Sequence, residues 1–314
     1  ELVGQRPCRN QKELPMNGED LNLSNGNAGI RFLSDPGGLP VVELRGKLGS
    51  VSVALNGAHV LEYKNTEDHS ILWVSQEAVY ETGKPIRGGI SICWPWFGPH
   101  GDDPKKPAHG LARISEWKLC QTGAVSDKDA TFLEFSLVDT EWSRSLWPYS
   151  FELVYRVSLL PDALEISLTT KNTDDRSFML TAALHSYFGI KSIEEATVDG
   201  LDGVTYLDQL DGMATKRQKG KVQFIQEVDR VYVDAPSTTM IQGSTSGRSI
   251  EVESRGSRST VVWNPWIEKA KRMGDFGDSE YQEMVCVETA NAGLDKIMVQ
   301  PGGRHELTAI LRIR

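Results

Sequence analysis

Residues 84–117 carry the densest set of side chains in this chain that could do chemistry. The segment reads KPIRGGISICWPWFGPHGDDPKKPAHGLARISEW and holds Arg87, His109, Arg113 and three tryptophans, of which Trp96 is the expected sugar contact. Aromatic faces cover the apolar C–H patches of a pyranose, while arginine and histidine supply fixed hydrogen bonds. The combination suits a sugar, although a Trp-rich core strand followed by a surface loop is the more common reason for such a cluster.

Two later segments add a second histidine and a carboxylate. TAALHSYFG surrounds His185 and MVCVETANAG surrounds Glu288. A satisfied core histidine and an ordinary strand glutamate are the plain alternatives. Within LHSYF, however, strand alternation places Leu184 and Phe188 on one side and His185 with Tyr187 on the other. The imidazole is therefore expected to leave the core-facing set, as a residue of a binding site would.

Four ordered motifs, RGGISICWPWFGP, HGLAR, ALHSYF and CVETA, make the chain resemble the aldose 1-epimerase superfamily, specifically its hexose-6-phosphate mutarotase branch. VDRVY and WNPW also look like that branch, and the resemblance spans roughly residues 35–312. It implies an isomerase that interconverts the α and β anomers of a hexose 6-phosphate, with glucose 6-phosphate as the expected sugar. One departure concerns the site: Ile114 stands where the HGFARN motif has asparagine, which puts substrate choice in more doubt than catalysis.

Exchange of anomers requires a base at the C1 hydroxyl and an acid at the ring oxygen. The resemblance implies that Glu288 is the general base, His185 the general acid and His109 a helper acid or hydrogen-bond donor. Glutamate and histidine have unperturbed pKa values of about 4.3 and 6.5, and burial with hydrogen bonding is expected to keep the carboxylate ionised while the imidazole is protonated near neutrality. The reaction needs no metal and no cofactor. Because no two of the six histidines stand at ligand spacing, no metal site is predicted.

The resemblance also implies substrate-binding residues. Arg87 and Arg113 match the two arginines expected at the phosphate, and guanidinium groups suit phosphate oxygens. The alternative is that they pair with carboxylates and brace the loop. Asp208, in TYLDQ, resembles the acceptor for a sugar hydroxyl. The remaining histidines, among them His59, are expected at the surface or in loops.

Short alternating segments predict the elements that position these residues. In ALEISLTT, for example, Leu164, Ile166 and Leu168 share one face, as in a half-buried strand. Such strands, separated by Gly, Asp, Asn and Pro turns, predict an all-β protein, and only SEYQEM near 279–284 suggests a short helix. The resemblance implies a large antiparallel two-sheet β-sandwich of the galactose mutarotase type. Residues 30–314 are expected to form this single domain, and residues 1–29 a polar, flexible arm.

Bulk properties exclude several partners. The 314 residues carry a net charge of −9, which disfavours nucleic acid and anionic membranes, and no apolar run is long enough to span a bilayer. The four cysteines are far apart and predict neither a disulfide framework nor a zinc site. We expect a soluble protein of a reducing compartment, cytoplasmic or, if a targeting peptide precedes Glu1, in an organelle such as the plastid stroma. A monomer is expected, with possible docking to a larger complex through the arm.

Two other functions stay open at this point. A non-catalytic carbohydrate-binding or scaffold subunit could use the same fold, and the long polar arm would suit it. A glycoside-cleaving enzyme would need two carboxylates flanking the bond, and only Glu288 has motif support.

Overall fold

The computed structural model describes the backbone of residues 21–22 and all of residues 28–125 and 129–314, in which antiparallel strands dominate. The larger sheet has twelve strands, numbered along the chain and ordered in space as β1 (Leu21–Asn22), β2 (Ala28–Ser34), β3 (Pro40–Gly46), β4 (Gly49–Ala54), β5 (His59–Lys64), β6 (Ile90–Cys93), β12 (Ala182–Gly189), β21 (Met284–Asn291), β20 (Ser259–Asn264), β17 (Val228–Val233), β14 (Thr205–Asp208) and β15 (Ala214–Arg217). The second sheet has nine, ordered as β16 (Val222–Gln223), β13 (Thr197–Asp199), β18 (Thr238–Gln242), β19 (Ile250–Arg255), β23 (Arg304–Ile313), β10 (Leu164–Asn172), β9 (Phe151–Leu159), β8 (Ala130–Val138) and β7 (Lys118–Val125). A small sheet pairs β11 (Phe178–Leu180) with β22 (Ile297–Val299).

The core lies between the two large sheets, as the period-2 pattern of the strands requires. In β10, Leu164, Ile166 and Leu168 are buried, and the residues between them are partly exposed. The same cluster takes in Trp94 and Tyr155, two of the largest fully buried side chains. The predicted fold class, an all-β protein built on a large antiparallel two-sheet sandwich with few short helices, is confirmed.

Helical segments are short and lie in the connections between strands. They are α1 (Glu141–Leu146), α2 (Trp266–Ala270) and the 3₁₀ turns Ala112–Ile114, Gln209–Asp211 and Glu280–Gln282. The last turn falls within 279–284, where a short helix was predicted.

The central strands of the larger sheet are buried on both sides. β12 and β21 are neighbours, and every residue of each is buried. One side packs into the main core through Leu184 and Val287. The other side points away from the nine-stranded sheet and is covered by segments 94–113 and 265–278. We call this side the site face, because His185 and Glu288 lie on it.

The predicted arm, residues 1–29, lies mostly outside the described residues. Its last two residues, Ala28 and Gly29, belong to β2, which pairs with β1 and β3. Cys120 is disulfide-bonded, which departs from the expectation that the cysteines would form no disulfide. Within the described ranges, no helix has the length and apolar character needed to cross a membrane.

Candidate active site

His185 and Glu288 face each other across β12 and β21. The register of the two strands, with Leu184 opposite Thr289, brings His185 across from Glu288. The His185 Nε2 and Glu288 Oε1 atoms are 3.5 Å apart, and both side chains are buried. Among the described residues, neither Glu288 Oε2 nor His185 Nδ1 has a hydrogen-bond partner. A histidine and a carboxylate thus stand side by side, with polar atoms that the surrounding chain leaves unsatisfied.

Burial sets the protonation of this pair. It raises the pKa of Glu288 well above its usual value; the carboxylate of Asp229 raises that pKa further, and Arg113 opposes the shift. Burial likewise lowers the pKa of His185 well below its usual value; electrostatic repulsion from Arg113, and from His109 when that ring is protonated, lowers it further. Desolvation disfavours both charged forms. Both shifts favour the uncharged forms, a neutral imidazole beside a protonated carboxyl, over the expected ion pair.

His109 reaches the site from the connection between β6 and β7. Its φ is 63°, and it is followed by Gly110, at which a Cβ atom would lie 2.0 Å from a backbone oxygen. The imidazole centroid is 5.7 Å from that of His185, and Nδ1 accepts a hydrogen bond from the Gly98 N–H at 3.3 Å. Burial lowers the pKa of His109 well below its usual value. A neutral ring with Nδ1 as acceptor carries its proton on Nε2, so His109 can act as a hydrogen-bond donor.

Small and aromatic side chains form the floor and walls around the pair. The floor cluster consists of Cys93, Ala183, Val231, Val261, Ala290 and Ala292. Phe97 packs against this cluster. The ring of Tyr187 lies parallel to the imidazole of His185 at a centroid distance of 4.7 Å, and Trp263 meets both rings edge-on. Apolar surface that could contact the C–H groups of a sugar thus borders the acid–base pair.

Trp96, the predicted sugar contact, packs in the main core cluster. It is 9% exposed, and its indole N–H donates to the Pro107 carbonyl at 2.9 Å. The ring of His100 packs edge-on against it at 4.8 Å. These contacts brace the loop that leads to His109, and the neighbouring Phe97 is the aromatic residue that meets the floor cluster.

The two predicted phosphate-binding arginines have different partners. Arg87 forms a two-point ion pair with Asp275, with Nη2–Oδ2 at 3.0 Å and Nε–Oδ2 at 3.2 Å, and donates from Nη1 to the Tyr187 hydroxyl at 3.0 Å. Arg113 donates to the Ala108 carbonyl at 2.7 Å, and its buried Nε has no partner. No carboxylate of a described residue pairs with Arg113. Arg87 thus makes the contacts that a bracing role would require, whereas within the described part of the chain no ion pair matches the charge of Arg113.

Asp208 lies outside the group of site-face residues. Its two oxygens accept hydrogen bonds from the Lys216 ammonium at 2.8 Å and from the Leu210 N–H at 3.1 Å. Its neighbour in β14, Leu207, packs against the floor cluster. Since successive side chains in a strand point to opposite sides, Asp208 is directed away from the floor.

Asp229 is the site-face carboxylate that sequence reasoning missed. In β17 it shares a side with Val231 of the floor cluster, and it lies across from Trp263 of β20. Gln209 donates to one of its oxygens, and Lys269 Nζ, on α2, is 3.4 Å from the other. The sequence signal was the segment VDRVY, in which period-2 alternation places Asp229 on the same side of the strand as Val231.

His59, predicted at the surface or in a loop, is fully buried at the start of β5. Its Nε2 is 2.8 Å from the Gly88 carbonyl oxygen, and a Cβ atom on Gly89 would lie 2.9 Å from that nitrogen. Burial lowers the pKa of His59 to about 4, so the ring is neutral and donates from Nε2. The histidine thereby fixes the Gly-Gly turn that follows Arg87.

Comparison with known proteins places this arrangement in a family. The sequence pattern of the family described as aldose 1-epimerase matches residues 40–312. A protein of Cenchrus ciliaris named "Putative glucose-6-phosphate 1-epimerase" is 38% identical over 292 residues, covering 89% of this chain and 87% of that protein. A Salmonella typhimurium protein of the same name is 36% identical over 242 residues, covering 77% of this chain and 79% of that protein.

Solved structures agree with the sequence relatives. The crystal structure of a "putative mutarotase" from Salmonella typhimurium superposes with a TM-score of 0.82 at 30% identity, covering 94% of this chain and 96% of that one. A galactose mutarotase-like protein from Clostridium acetobutylicum has a TM-score of 0.69 at 13% identity, covering 92% and 99%, which shows the fold alone. With its matching pattern, relatives and fold, this chain belongs to the aldose 1-epimerase family.

Proposed function

We propose that the protein is a hexose-6-phosphate 1-epimerase that interconverts the α and β anomers of glucose 6-phosphate. The observation that carries the proposal is the His185–Glu288 pair, 3.5 Å apart and buried on the site face near Arg113, which has no ion-pair partner among the described residues. An acid and a base at this spacing can serve the two oxygens of one anomeric centre. The relatives that carry the epimerase name support the choice of substrate.

The reaction needs only proton transfers. Glu288 Oε2, which has no partner among the described residues, takes the proton of the C1 hydroxyl. The C1–O5 bond breaks, its electron pair goes to the ring oxygen, and O5 receives a proton from His185. The open aldehyde turns about C1–C2, and ring closure on the other face of C1 reverses both transfers. His109 donates a hydrogen bond from Nε2 to a sugar oxygen and steadies the negative charge that develops there.

The charge of the substrate explains how the resting pair becomes active. Arg113 and Arg87 are among the cations that lower the pKa of His185. A phosphate dianion bound to these guanidinium groups offsets their field. The pKa of His185 then rises, and the pair's single proton can pass from Glu288 to His185, which gives the carboxylate and imidazolium that the chemistry uses. A free sugar lacks this effect and should react more slowly.

Asp229 and Lys269 complete the proposed sugar contacts. Asp229 lies on the site face and keeps a half-buried carboxylate next to Lys269. A carboxylate there can accept hydrogen bonds from ring hydroxyls. A non-catalytic sugar-binding role is not favoured, because Glu288 and His185 are buried with unsatisfied polar atoms, an arrangement that lowers stability and has no use without proton transfer.

Exchange NMR tests the proposal. Catalytic amounts of the full-length protein are added to an equilibrated mixture of α- and β-glucose 6-phosphate, and exchange of the C1 protons is compared with buffer and with the same amount of free glucose. We expect acceleration for both sugars and a larger one for the phosphate. Folded protein that accelerates neither sugar at neutral pH would contradict the proposed function.

A further inference from the structure

Asp275 binds one edge of the Arg87 guanidinium group. It lies in the segment between α2 and the 3₁₀ turn Glu280–Gln282, and its carboxylate meets the Nε and Nη2 edge of the guanidinium at 3.0 to 3.2 Å. The two side chains are 22% and 20% exposed. This geometry leaves the edge that carries Nη1 for other partners. The pair therefore fixes the plane of the guanidinium group as well as its position.

The segment that carries Asp275 is itself anchored. Phe276 is buried, and its ring packs against Trp73 with centroids 5.2 Å apart. The buried carboxylate of Glu280 accepts hydrogen bonds from the Gly277 N–H at 2.8 Å and from the Ser75 hydroxyl at 2.6 Å. The Ser75 N–H also donates to the Arg87 carbonyl at 3.0 Å. Ser75 therefore binds both the segment that carries Asp275 and the backbone of Arg87.

Arg87 connects this anchor to the acid–base pair. Its Nη1 donates to the Tyr187 hydroxyl at 3.0 Å. The Tyr187 ring stacks on the imidazole of His185, with centroids 4.7 Å apart and planes 11° from parallel. One chain of contacts thus leads from Asp275 through Arg87 and Tyr187 to His185.

We infer that Asp275 is a positioning residue for phosphate recognition: it holds Arg87 by one edge so that the other edge faces the phosphate group of the substrate. The inference deepens the proposed function and rests on it. Two effects of the carboxylate oppose each other, because its negative charge repels a dianion while its hydrogen bonds orient the guanidinium. The orienting effect dominates, since a correctly placed two-point contact is lost when the group rotates.

The direction in which Asp275→Asn changes phosphate binding decides between the charge effect and the orienting effect. Asp275→Asn removes the charge and weakens the two-point contact, and Asp278→Asn, on the exposed end of the same segment, is the matched control for charge alone. We expect Asp275→Asn to raise KM for glucose 6-phosphate about 10-fold and to change kcat for free glucose less than about 2-fold. Asp278→Asn should change neither value. Tighter phosphate binding in Asp275→Asn, or equal losses on both sugars, would overturn the inference.

A binding measurement separates this inference from the proposed function. Inorganic phosphate is titrated into wild-type protein and both variants and followed by ³¹P NMR, which requires no turnover. A Kd about 10-fold weaker only in Asp275→Asn supports the positioning role even if the protein accelerates no exchange; an unchanged Kd contradicts it even if exchange is fast. Should Asp275→Asn melt early, Asp275→Glu keeps the charge but shifts the carboxylate by one methylene. An intermediate rise in KM and Kd is then expected, and wild-type values would overturn the inference.

Discussion

Two glutamates on the two large sheets show how differently the molecule treats the same side chain. Glu251, on β19, accepts hydrogen bonds from Arg314 at 2.9 and 3.0 Å and from Arg312 at 2.9 Å. These hydrogen bonds, above all those from Arg314, lower its pKa. Glu288, on β21, is buried with one oxygen unpartnered among the described residues, and burial raises its pKa well above the usual value.

The arginines beside Glu251 stabilise its ionised form, whereas burial of Glu288 disfavours ionisation. On the nine-stranded sheet, hydrogen bonds from Arg312 and Arg314 to both oxygens of Glu251 stabilise the ionised carboxylate. On the site face, Glu288 Oε2 has no hydrogen-bond partner among the described residues. A bound proton or a substrate hydroxyl must therefore satisfy the carboxyl group. Perturbed groups of this kind concentrate where chemistry occurs.

The largest effect should come from removing either member of the site-face pair. Glu288→Gln and His185→Asn should each slow anomer exchange at least about 100-fold, the usual scale of general acid–base catalysis. Glu251→Gln, the matched change on the other sheet, should leave exchange unaffected. Exchange NMR with glucose 6-phosphate measures all three variants, and near-wild-type exchange in either site-face variant would show that its residue is not the acid or the base.

Removing the unpaired cation should affect one substrate only. Arg113→Ala is expected to raise KM for glucose 6-phosphate about 10-fold and to leave exchange of free glucose nearly unchanged, because only the phosphate uses the guanidinium group. Arg312→Ala, which removes an arginine from the matched cluster on the other sheet, is the control. Equal losses with both sugars would instead make Arg113 a brace of the loop that carries His109.

The pH profile should report the two shifted groups of the pair. Falling pH adds a second proton, to His185, whose pKa is lowered; rising pH removes the last proton, from Glu288, whose pKa is raised. The one-proton state of the pair should therefore extend across neutrality, with kcat/KM for free glucose, which has no phosphate group to titrate, nearly flat from about pH 6 to pH 7.5. Rates measured over that range test this, and a steep fall near pH 6.5, as for an ordinary histidine, would contradict the shifts.

The smallest effects concern stability, where the two glutamates should respond with opposite sign. Because the folded-state pKa of Glu288 is raised, wild-type stability falls as pH rises above the unfolded value, and Glu288→Gln should melt at least about 2 °C higher than wild type near pH 8. The folded-state pKa of Glu251 is lowered, so its contribution is present at neutral pH and is lost as pH falls. Glu251→Gln should melt slightly lower than wild type at pH 7 and equal to it near pH 3; thermal melts across pH that show one sign for both variants would contradict this contrast.

The sequence predicted those features that depend on local alternation or on motif order. The half-buried pattern of β10 and the site-face position of His185 with Tyr187 follow from period-2 spacing. Glu288 was recognised by motif order, but its place opposite His185 depends on the register between strands about a hundred residues apart in sequence, which no local pattern encodes. That residues 1–29 form an arm outside the domain stays a prediction.

The rest could not be predicted, because it arises from contacts between distant segments. Trp96 as a sugar contact stays a prediction; that its indole N–H donates to the Pro107 carbonyl and its ring packs in the core depends on how the loop after it folds back. Asp208 as an acceptor for a sugar hydroxyl also stays a prediction; its side of the sheet, opposite to that of Leu207, follows only once Leu207 is known to pack on the floor cluster. The protonation of the pair was predicted on the expectation that burial and hydrogen bonding would keep the carboxylate ionised. Burial of Glu288, with Oε2 unpartnered among the described residues, instead raises its pKa.

The most direct test of the account is exchange NMR on glucose 6-phosphate with wild-type protein and Glu288→Gln at equal concentration and neutral pH. We expect rapid exchange between the C1 protons of the two anomers with wild type, and a rate at least about 100-fold lower with the variant, whose fold and phosphate binding remain intact. Equal exchange rates for the two proteins, or wild-type exchange no faster than buffer, would contradict the claim that the buried carboxyl of Glu288 transfers the anomeric proton.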